Sequence, residues 1–217
     1  YDNVQEKINL NYSMSSDKIK SIFAESGMLS MIRQFPFDKV ASPDKNPKCI
    51  VVTMFDSAPY APDTSCLLSD ENFQMFKKGL SYLSKLTEGL VYLNCREGGD
   101  IPMAGLPKNI KINNFLGPHP AGNPGIQIHH LDPIKNKDDI VWSVSFLDLV
   151  AIGITINNGY WYNRKVVSVG GSSDCNNYYD VLRGAQISSF IDNDVLDGFS
   201  IISGNLLSGK KVKSDYG

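Results

Sequence analysis

The sequence predicts an α/β domain with a mostly parallel sheet, followed by a smaller α+β unit. Up to Gly159, apolar runs of strand length alternate with amphipathic helical segments, which is the pattern of βαβ units. After Gly159 the chain changes to short strand-like pieces separated by Gly, Asn and Asp. The chain has 217 residues, 42% of them hydrophobic and 20% charged, so it is long enough to bury a core and has an ordinary globular composition.

Two helices of the first domain are predicted from apolar residues at helical spacing. The first begins after Ser15 or Ser16, either of which can cap it, and Gly27 interrupts or ends it. The second begins at Asp70 and continues to about Thr87, with Phe and Leu side chains along one face. A single short helix is expected in the second unit, near residues 187–191.

Four strands are predicted in the first domain from apolar runs that contain β-branched residues. A run of this kind is typical of a strand that is buried on both faces of a parallel sheet. The four runs are "KCIVVTMFD" (Lys48–Asp56), "GLVYLNC" (Gly89–Cys95), "NIKINNFL" (Asn109–Leu116) and "DIVWSVSF" (Asp139–Phe146).

These elements give the expected domain limits. Residues 1–14 are polar and aperiodic, which indicates a linker or an added sheet edge, residues 15–159 form the α/β domain, and residues 160–217 form the second unit. The chain begins at Tyr1 without a Met and stops at "KSDYG", so we expect it to be a piece of a longer protein.

Charge and cysteine content exclude some classes of protein. The net charge of -2 leaves no dominant basic face for nucleic acid. The cysteines, Cys49, Cys66, Cys95 and Cys175, are far apart without a C-x-x-C motif, so we predict buried free thiols and a reducing cytoplasm. The most apolar run, Leu149–Ile156, is far shorter than the roughly 20 residues that cross a bilayer.

All the histidines lie in "LGPHPAGNPGIQIHHLDP", residues 116–133. His129 and His130 are adjacent and therefore point to different faces, and only His129 with Asp132 has the spacing of helical metal ligands. No nucleophile motif accompanies them, so we predict neither a metal site nor a catalytic base. The glycines and prolines predict a rigid corner that leads into a short helix. That corner can still have a function, because ligands of such folds gather at strand carboxyl ends.

Two glycine-containing segments of the chain do not complete a phosphate-binding motif. "GNLLSGKK" (Gly204–Lys211) fits G-x-x-x-x-G-K, but Lys211 stands where a Ser or Thr must bind magnesium. Gly117 and Gly122 are separated by four residues that include two prolines, which lack the N–H groups that cradle a phosphate. The sequence therefore predicts no nucleotide-binding loop at either place.

Colinear motifs resemble one family over about Ser15 to Lys211. "GPHPAGNPGIQIHHLDP" closely resembles the GPHPAG-x-x-G-x-x-x-H segment of the A-subunit family of the sodium-translocating NADH:quinone reductase. The other matching segments are "ESGMLSMIRQFPFDKV", "VVTMFDSAPYAPD", "VWSVSFLDLVAIG", "RKVVSVGG" and "SIISGNLLSG".

The resemblance implies a fold and a role. The first domain should be Rossmann-like and related to the flavin- and NADH-binding subunit of respiratory complex I, and the second should be a β-grasp, soluble-ligand-binding domain. The complex couples NADH oxidation and quinone reduction to Na⁺ export across a bacterial inner membrane. The resemblance places the chain on the cytoplasmic side as a peripheral component. It implies no cofactor in this chain, because FMN, FAD, riboflavin and the 2Fe-2S centre belong to other subunits.

The resemblance leaves three roles open. The first is quinone handling or assembly within the complex, although the isolated chain is expected to have no activity. The second is a purely structural role, in which the chain docks its neighbours and has no ligand of its own. The third is an active nucleotide- or flavin-binding enzyme domain.

The segment "IRQFPFDK" (Ile32–Lys39) is the predicted site. In the complex I relative, the corresponding loop resembles G-G-A-G-F-P-T-G-x-K, and bulky side chains stand here where its glycines approach the flavin phosphate. We therefore expect a filled flavin site whose residues Arg33, Phe35, Phe37 and Lys39 contact quinone or another subunit. The alternative is that Phe35 and Phe37 only fill the core. No catalytic residue is predicted.

Overall fold

The chain forms two compact units. The structure, a computed structural model, describes residues 7–99, 105–171, 177–192 and 199–213. The first unit contains the described residues up to Phe55 and those of Thr64–Tyr162. The second contains Asp56–Asp63 and the described residues from Asn163 onward. The units thus divide near the limit expected at 159/160, and a segment from within the first domain joins the second unit.

A six-stranded sheet is the centre of the first unit. The strands are β1 (Arg33–Phe35), β2 (Lys39–Val40), β3 (Cys49–Thr53), β4 (Val91–Arg96), β5 (Ile110–Phe115) and β6 (Val141–Ser145). Their order in the sheet is β2-β1-β6-β3-β4-β5, and β6, β3, β4 and β5 are parallel, which confirms the predicted mostly parallel sheet. These four parallel strands are the four predicted from the sequence.

The β1–β2 hairpin at one edge of this sheet is a feature that the sequence reasoning missed. We expected the segment Ile32–Lys39 to be a loop, whereas β1 pairs antiparallel with both β2 and β6. Each of these strands is too short for a periodic pattern of polar and apolar residues to be visible.

Helices cover the sheet. Ser15 caps the first helix by accepting a hydrogen bond from the backbone N–H of Lys18, as predicted for one of the two serines. The predicted helix to Thr87 ends as an α-helix at Leu83 and continues as one 3₁₀ turn, Ser84–Leu86. The helices are α1 (Ser16–Glu25), α2 (Thr64–Leu67), α3 (Asp70–Leu83), α4 (Pro124–Leu131) and α5 (Phe146–Asn158), and a further 3₁₀ turn spans Met28–Met31.

The strand period of two divides the buried side chains between two layers. Ile50 and Val52 of β3 face the larger core, which contains residues of α1, α3 and α5. Cys49 and Val51 of the same strand face a smaller cluster that contains Ile128 of α4. Helices therefore lie on both faces of the sheet, as a mostly parallel sheet requires.

Residues 7–14, which the sequence indicates as a linker or added edge, belong to the first unit and pack on its core. The backbone N–H of Ile8 donates to the carbonyl of Gly159 at 2.7 Å. Ile8, Leu10 and Met14 pack against the larger core. The Tyr12 ring contacts the ring of Tyr82, edge to face, with centroids 5.7 Å apart.

The corner predicted between Leu116 and Pro133 is confirmed. It follows β5, includes Gly117 at φ +136 and a cis bond between His119 and Pro120, and leads into α4. Pro124 occupies the start of α4, where its missing N–H would have no partner within the helix.

The second unit contains two small antiparallel sheets. Strand β7 (Arg164–Val169) pairs with β8 (Asn177–Leu182), and β9 (Ile201–Ser203) pairs with β10 (Lys210–Val212). The short helix expected near residues 187–191 is a 3₁₀ turn, Ile187–Ser189. An α/β domain followed by a small, mainly β unit is therefore confirmed, and the finer β-grasp assignment stays a prediction.

The cysteines differ in exposure. Cys49 and Cys95 are buried free thiols, as predicted, whereas Cys66 is free but exposed, so the prediction of burial is wrong for it. Cys66 lies in α2, a helix of a single turn that leaves this side chain in solvent. Cys175 lies outside the described residues. Within the described ranges, no helix has both the length and the hydropathy needed to cross a bilayer.

Candidate functional site

The predicted site segment forms a braced hairpin at the sheet edge. The Arg33 Nε donates to Asp38 Oδ1 at 2.9 Å, and its guanidinium also donates to the Asp38 carbonyl. Asp38 is in the left-handed region, at φ 46, as a tight turn requires. Arg33 is thus engaged in holding the turn between β1 and β2.

Gln34 and Phe35, the last two residues of β1, project to opposite faces of the sheet. Phe35 packs in the smaller cluster, on the same face as Ile128. Gln34 is buried on the other face, where its Oε1 accepts from the Ser42 backbone N–H at 3.2 Å and from Trp142 Nε1 at 3.3 Å. Phe35 therefore fills the core, as in the alternative given above for this side chain.

Phe37 and Lys39 have a different environment. Phe37 is 69% exposed, and Lys39 is exposed at the start of β2. The structure consequently does not bring the four predicted residues into one pocket. It places Phe35 in the core, Arg33 in a turn-stabilising ion pair, and Phe37 and Lys39 at the solvent side of the hairpin.

A buried chain of polar side chains joins three parallel strands near their carboxyl ends. Thr53 Oγ1 and Asn94 Nδ2 both donate to Gln127 Oε1, at 3.0 and 2.9 Å. Asn113 Nδ2 donates to Asn94 Oδ1 at 3.0 Å, and Gln127 Nε2 donates to the Ala121 carbonyl at 3.3 Å. Sequence reasoning missed this network. Its signal in the sequence is the polar residues Thr53 and Asn94 inside the apolar runs of β3 and β4, whereas the burial of Gln127 is visible only in the structure.

This network lies where ligands of open α/β sheets usually bind, outside the strand carboxyl ends. Asn94 and Gln127 are completely buried, and the polar atoms described above pair with other groups of this chain. Since unpaired buried amides are costly, the network fixes α4 and the corner before it against the sheet. Among the described residues, side chains of this chain therefore occupy this part of the sheet edge.

The chain order reverses between β3 and β6, which makes this pair the topological switch point of the sheet. Strand β6 leads directly into α5, whose first turn is capped by Ser145 through the backbone N–H of Asp148 at 3.1 Å. The Ser145 hydroxyl also donates to Asp148 Oδ2 at 2.7 Å. An aspartate in the first turn already complements the helix dipole, so it disfavours a phosphate at this helix start.

A charged cluster holds α4 at the opposite end of the sheet. Lys48 Nζ lies 2.7 Å from Asp132 Oδ1 and 3.8 Å from Asp139 Oδ2. Burial alone would lower the pKa of Lys48, but the hydrogen bond and charge of Asp132 and the charge of Asp139 outweigh burial and raise it. Burial, with the Asp132 carboxylate nearby, raises the pKa of the Cys49 thiol to about 12, so this thiol stays protonated and unreactive at neutral pH.

The histidines do not assemble a metal site. His129 and His130 are exposed on α4, with ring centroids 5.5 Å apart, and His119 lies in the corner before it. No group of three or more His, Cys, Asp or Glu side chains among the described residues could hold a metal ion.

The phosphate-loop pattern Gly204–Lys211 is part of a hairpin. It connects β9 to β10, and a strand begins at its first lysine where a phosphate loop would require a helix. The glycines serve the turn, since Gly204 has φ +98 and a Cβ on Gly209 would lie 2.5 Å from the Asn205 carbonyl oxygen.

The fold and the polar network at the sheet edge define the class of this domain. It is a three-layer α/β domain with a mostly parallel sheet, and its own side chains form the polar network at the strand carboxyl ends. The chain belongs to the NqrA family, because the sequence model of the NqrA second alpha/beta domain matches residues 14–161.

Curated relatives agree with this membership. The chain is 34% identical over 206 residues to the Na(+)-translocating NADH-quinone reductase A-subunit of Histophilus somni (strain 129Pt), covering 94% of this chain and 45% of the relative. It is 36% identical over 201 residues to the protein of the same name from Rhodopirellula baltica, covering 91% of this chain and 43% of the relative. The chain thus spans less than half the length of these relatives.

A solved structure has a similar fold. An NAD+-reducing NiFe hydrogenase in the H2-reduced state matches with a TM-score of 0.54 and 11% sequence identity, over 85% of this chain and 41% of that chain. At this identity the similarity supports the fold alone.

Proposed function

We propose that the chain is part of the NqrA component of a Na⁺-translocating NADH:quinone reductase and acts there in the assembly of the complex. The observation that carries this proposal is the family match over residues 14–161, together with about a third of residues identical to named relatives over nearly the whole chain. The component belongs on the cytoplasmic side of a bacterial inner membrane, where it is peripheral.

The geometry of the β1–β2 hairpin supports docking better than an enclosed ligand site. A small-molecule site usually buries 70–90% or more of its ligand. Phe37 is instead 69% exposed on a turn that Arg33 and Asp38 brace. Aromatic side chains are enriched among the residues that anchor protein interfaces, and the backbone of this turn is already held by the Arg33–Asp38 contacts.

Quinone handling is the second candidate. Phe37 offers an aromatic face, and the exposed Lys39 at the start of β2 can donate to a quinone oxygen. A quinone would become enclosed only between this hairpin and a neighbouring protein of the complex. Docking and quinone handling would then use the same residues of the hairpin, Phe37 and Lys39.

We further propose that this domain holds no flavin, and that the FMN, FAD, riboflavin and 2Fe-2S centre of the complex belong to other subunits. Two observations support this. Residues of β1 pair with Ser143, Trp142 and Val141 of β6, so this backbone is engaged in the sheet rather than open to a phosphate. Phe35 of the same strand fills the cluster beneath α4. Titration of the purified chain with FMN should show no saturable quenching of flavin fluorescence, and saturable quenching would contradict the proposal.

The test of the docking role uses full-length NqrA that carries this chain's sequence, expressed with the other subunits. We expect Phe37→Ser with Lys39→Gln to lower the amount of NqrA that copurifies with the complex. The matched control is Leu116→Ser with Lys135→Gln, which removes one 80% exposed apolar side chain and one exposed lysine elsewhere in the same unit.

Three outcomes separate the alternatives. Loss of copurification in the hairpin variant alone supports docking. An intact complex with a raised KM for quinone supports quinone handling instead. An unchanged complex with unchanged kinetics would refute both roles of the hairpin.

A further inference from the structure

The β9–β10 hairpin of the second unit presents a compact apolar tip. Leu206 is 53% exposed and Leu207 is 65% exposed, next to each other in the turn. Ile202 and Phe199, which precede the turn, are 38% and 51% exposed. Single exposed apolar residues are normal on protein surfaces, whereas a run of them on one short hairpin indicates a surface that binds something.

The turn holds this tip in one conformation. Asn205 Oδ1 accepts from the backbone N–H groups of Leu207 and Ser208, both at 2.9 Å. The backbone N–H of Gly209 donates to the Asn205 carbonyl at 2.7 Å and closes the turn. The two leucines therefore extend from a turn whose backbone is held by hydrogen bonds, so binding would order little further backbone.

Basic residues follow the apolar tip directly. Lys210, Lys211 and Lys213 are exposed, and no Asp or Glu occurs from Phe199 to Lys213. Lys211 lies directly opposite Ile202 in the hairpin, so a cation and an apolar side chain share one face. This concentration of positive charge stands out because the whole chain has a net charge of -2.

We propose that this hairpin binds an anionic lipid surface, with Leu206 and Leu207 inserted at the boundary between headgroups and acyl chains and the lysines at the headgroups. An apolar tip with basic residues behind it is the arrangement that interfacial membrane binding requires. A bilayer also needs no matching partner surface, so two leucines can bind it, whereas a specific protein interface usually needs about 800 Å² on each partner. The inference goes beyond the assembly role, and it can be tested without the other subunits.

The test measures binding of the complete chain to vesicles by cosedimentation. We expect binding to vesicles with 30 mol% phosphatidylglycerol and weak binding to pure phosphatidylcholine. Each lysine near an anionic surface contributes about fivefold in partitioning, so Lys210→Gln with Lys211→Gln and Lys213→Gln should reduce binding by more than about tenfold. Leu206→Ser with Leu207→Ser should reduce it about tenfold as well.

Matched controls keep the test specific. Replacement of three exposed lysines of the first unit, Lys111, Lys135 and Lys137, by Gln changes the net charge equally and should leave binding within about threefold. A Leu207→Trp variant reports insertion directly, because its fluorescence should be quenched by brominated lipid. Circular dichroism verifies that each variant remains folded.

The outcomes decide between a lipid and a protein partner. Binding that depends on both the lysines and the leucines supports the proposal. Equal loss in the control triple variant, or no quenching of the tip tryptophan, would overturn it. Absence of vesicle binding, combined with loss of copurification when the hairpin variants are placed in the complex, would assign the hairpin to a protein partner and also overturn it.

Discussion

Gly153 lies at the closest approach of α3 and α5, and its replacement by alanine tests the packing of the first unit. A Cβ at this position would lie 1.9 Å from the carbonyl oxygen of Met75 in α3. Across the contact, a Cβ on Gly79 would lie 2.5 Å from the carbonyl oxygen of Leu149 in α5. Both obstacles are backbone atoms of helices, so no side-chain rotation can relieve them.

The expected magnitude follows from these distances. Ordinary van der Waals contact begins near 3.4 Å, so Gly153→Ala requires α3 and α5 to move apart by about 1.5 Å. Overpacking of a core costs about 1–3 kcal/mol and occasionally more. Alanine in place of a glycine within a helix gains about 1 kcal/mol. Because the helices bury Phe76 and Phe146 against each other, their separation also loses packing, and we expect a net loss of about 2–4 kcal/mol.

The assay is urea unfolding followed by tryptophan fluorescence, since Trp142 is completely buried in the core. Gly125→Ala is the matched control. Gly125 is an exposed residue of α4, and its Cβ would only contact Phe35 at 3.9 Å, so stability should stay unchanged or rise slightly. Gly153→Ala with stability equal to or above that of the unmodified chain would refute the close contact of α3 and α5.

Three further predictions concern the site and its surroundings. Gln127→Leu should lower the free energy of unfolding by about 2–4 kcal/mol in urea titrations, because it leaves buried donors unpaired; Gln186→Leu, at an exposed position, should change it by less than about 0.5 kcal/mol. Lys48→Met should lower the free energy of unfolding by about 1–2 kcal/mol at pH 7, because its two aspartate partners lose their cation. Lys135→Met should have little effect on this free energy. The pKa of Lys48 is raised in the folded state, so this difference should be full below the unfolded pKa and disappear as the pH rises through the folded pKa. Thiol titration with a chromogenic disulfide at pH 8 should show a fast phase that Cys66→Ser reduces by one thiol, and an equal fast phase in that variant would contradict the exposure of Cys66.

The elements that the sequence predicted correctly are those with a local signal. Each parallel strand is a continuous apolar run, and α3 has its Phe and Leu side chains at helical spacing, so neighbouring residues determine the element. Ser15 identifies the start of the first helix for the same reason, because a cap bonds within its own first turn. The family was identified from the resemblance of several colinear motifs, because the pattern of a single helix or strand cannot identify a family.

The features that sequence reasoning missed depend on residues far apart in the chain. Thr53 and Gln127 are 74 residues apart, and Asn94 and Gln127 are 33 apart, so the polar network exists only after the sheet has formed. The β1–β2 hairpin is similar, because Arg33–Phe35 becomes a strand through pairing with β6, which lies more than a hundred residues later. The predicted residues lie apart because a hairpin replaces the expected loop: Arg33 pairs with Asp38 in the turn and Phe35 packs in the smaller cluster, whereas Phe37 and Lys39 are exposed.

The buried network also limits where this domain can act. A ligand that entered this network at the carboxyl ends of β3, β4 and β5 would have to displace hydrogen bonds of Asn94 or Gln127, both completely buried. Each displaced bond leaves a buried polar group that costs about 1–3 kcal/mol, which the ligand's own contacts would have to offset. The exposed hairpins carry no such cost, because Phe37 and Leu207 already face solvent and their turns are held by Asp38 and Asn205. Binding at these tips orders little further backbone and breaks no buried hydrogen bond. We therefore place the contacts of this chain at these exposed hairpins rather than at the sheet edge where this fold usually binds ligands.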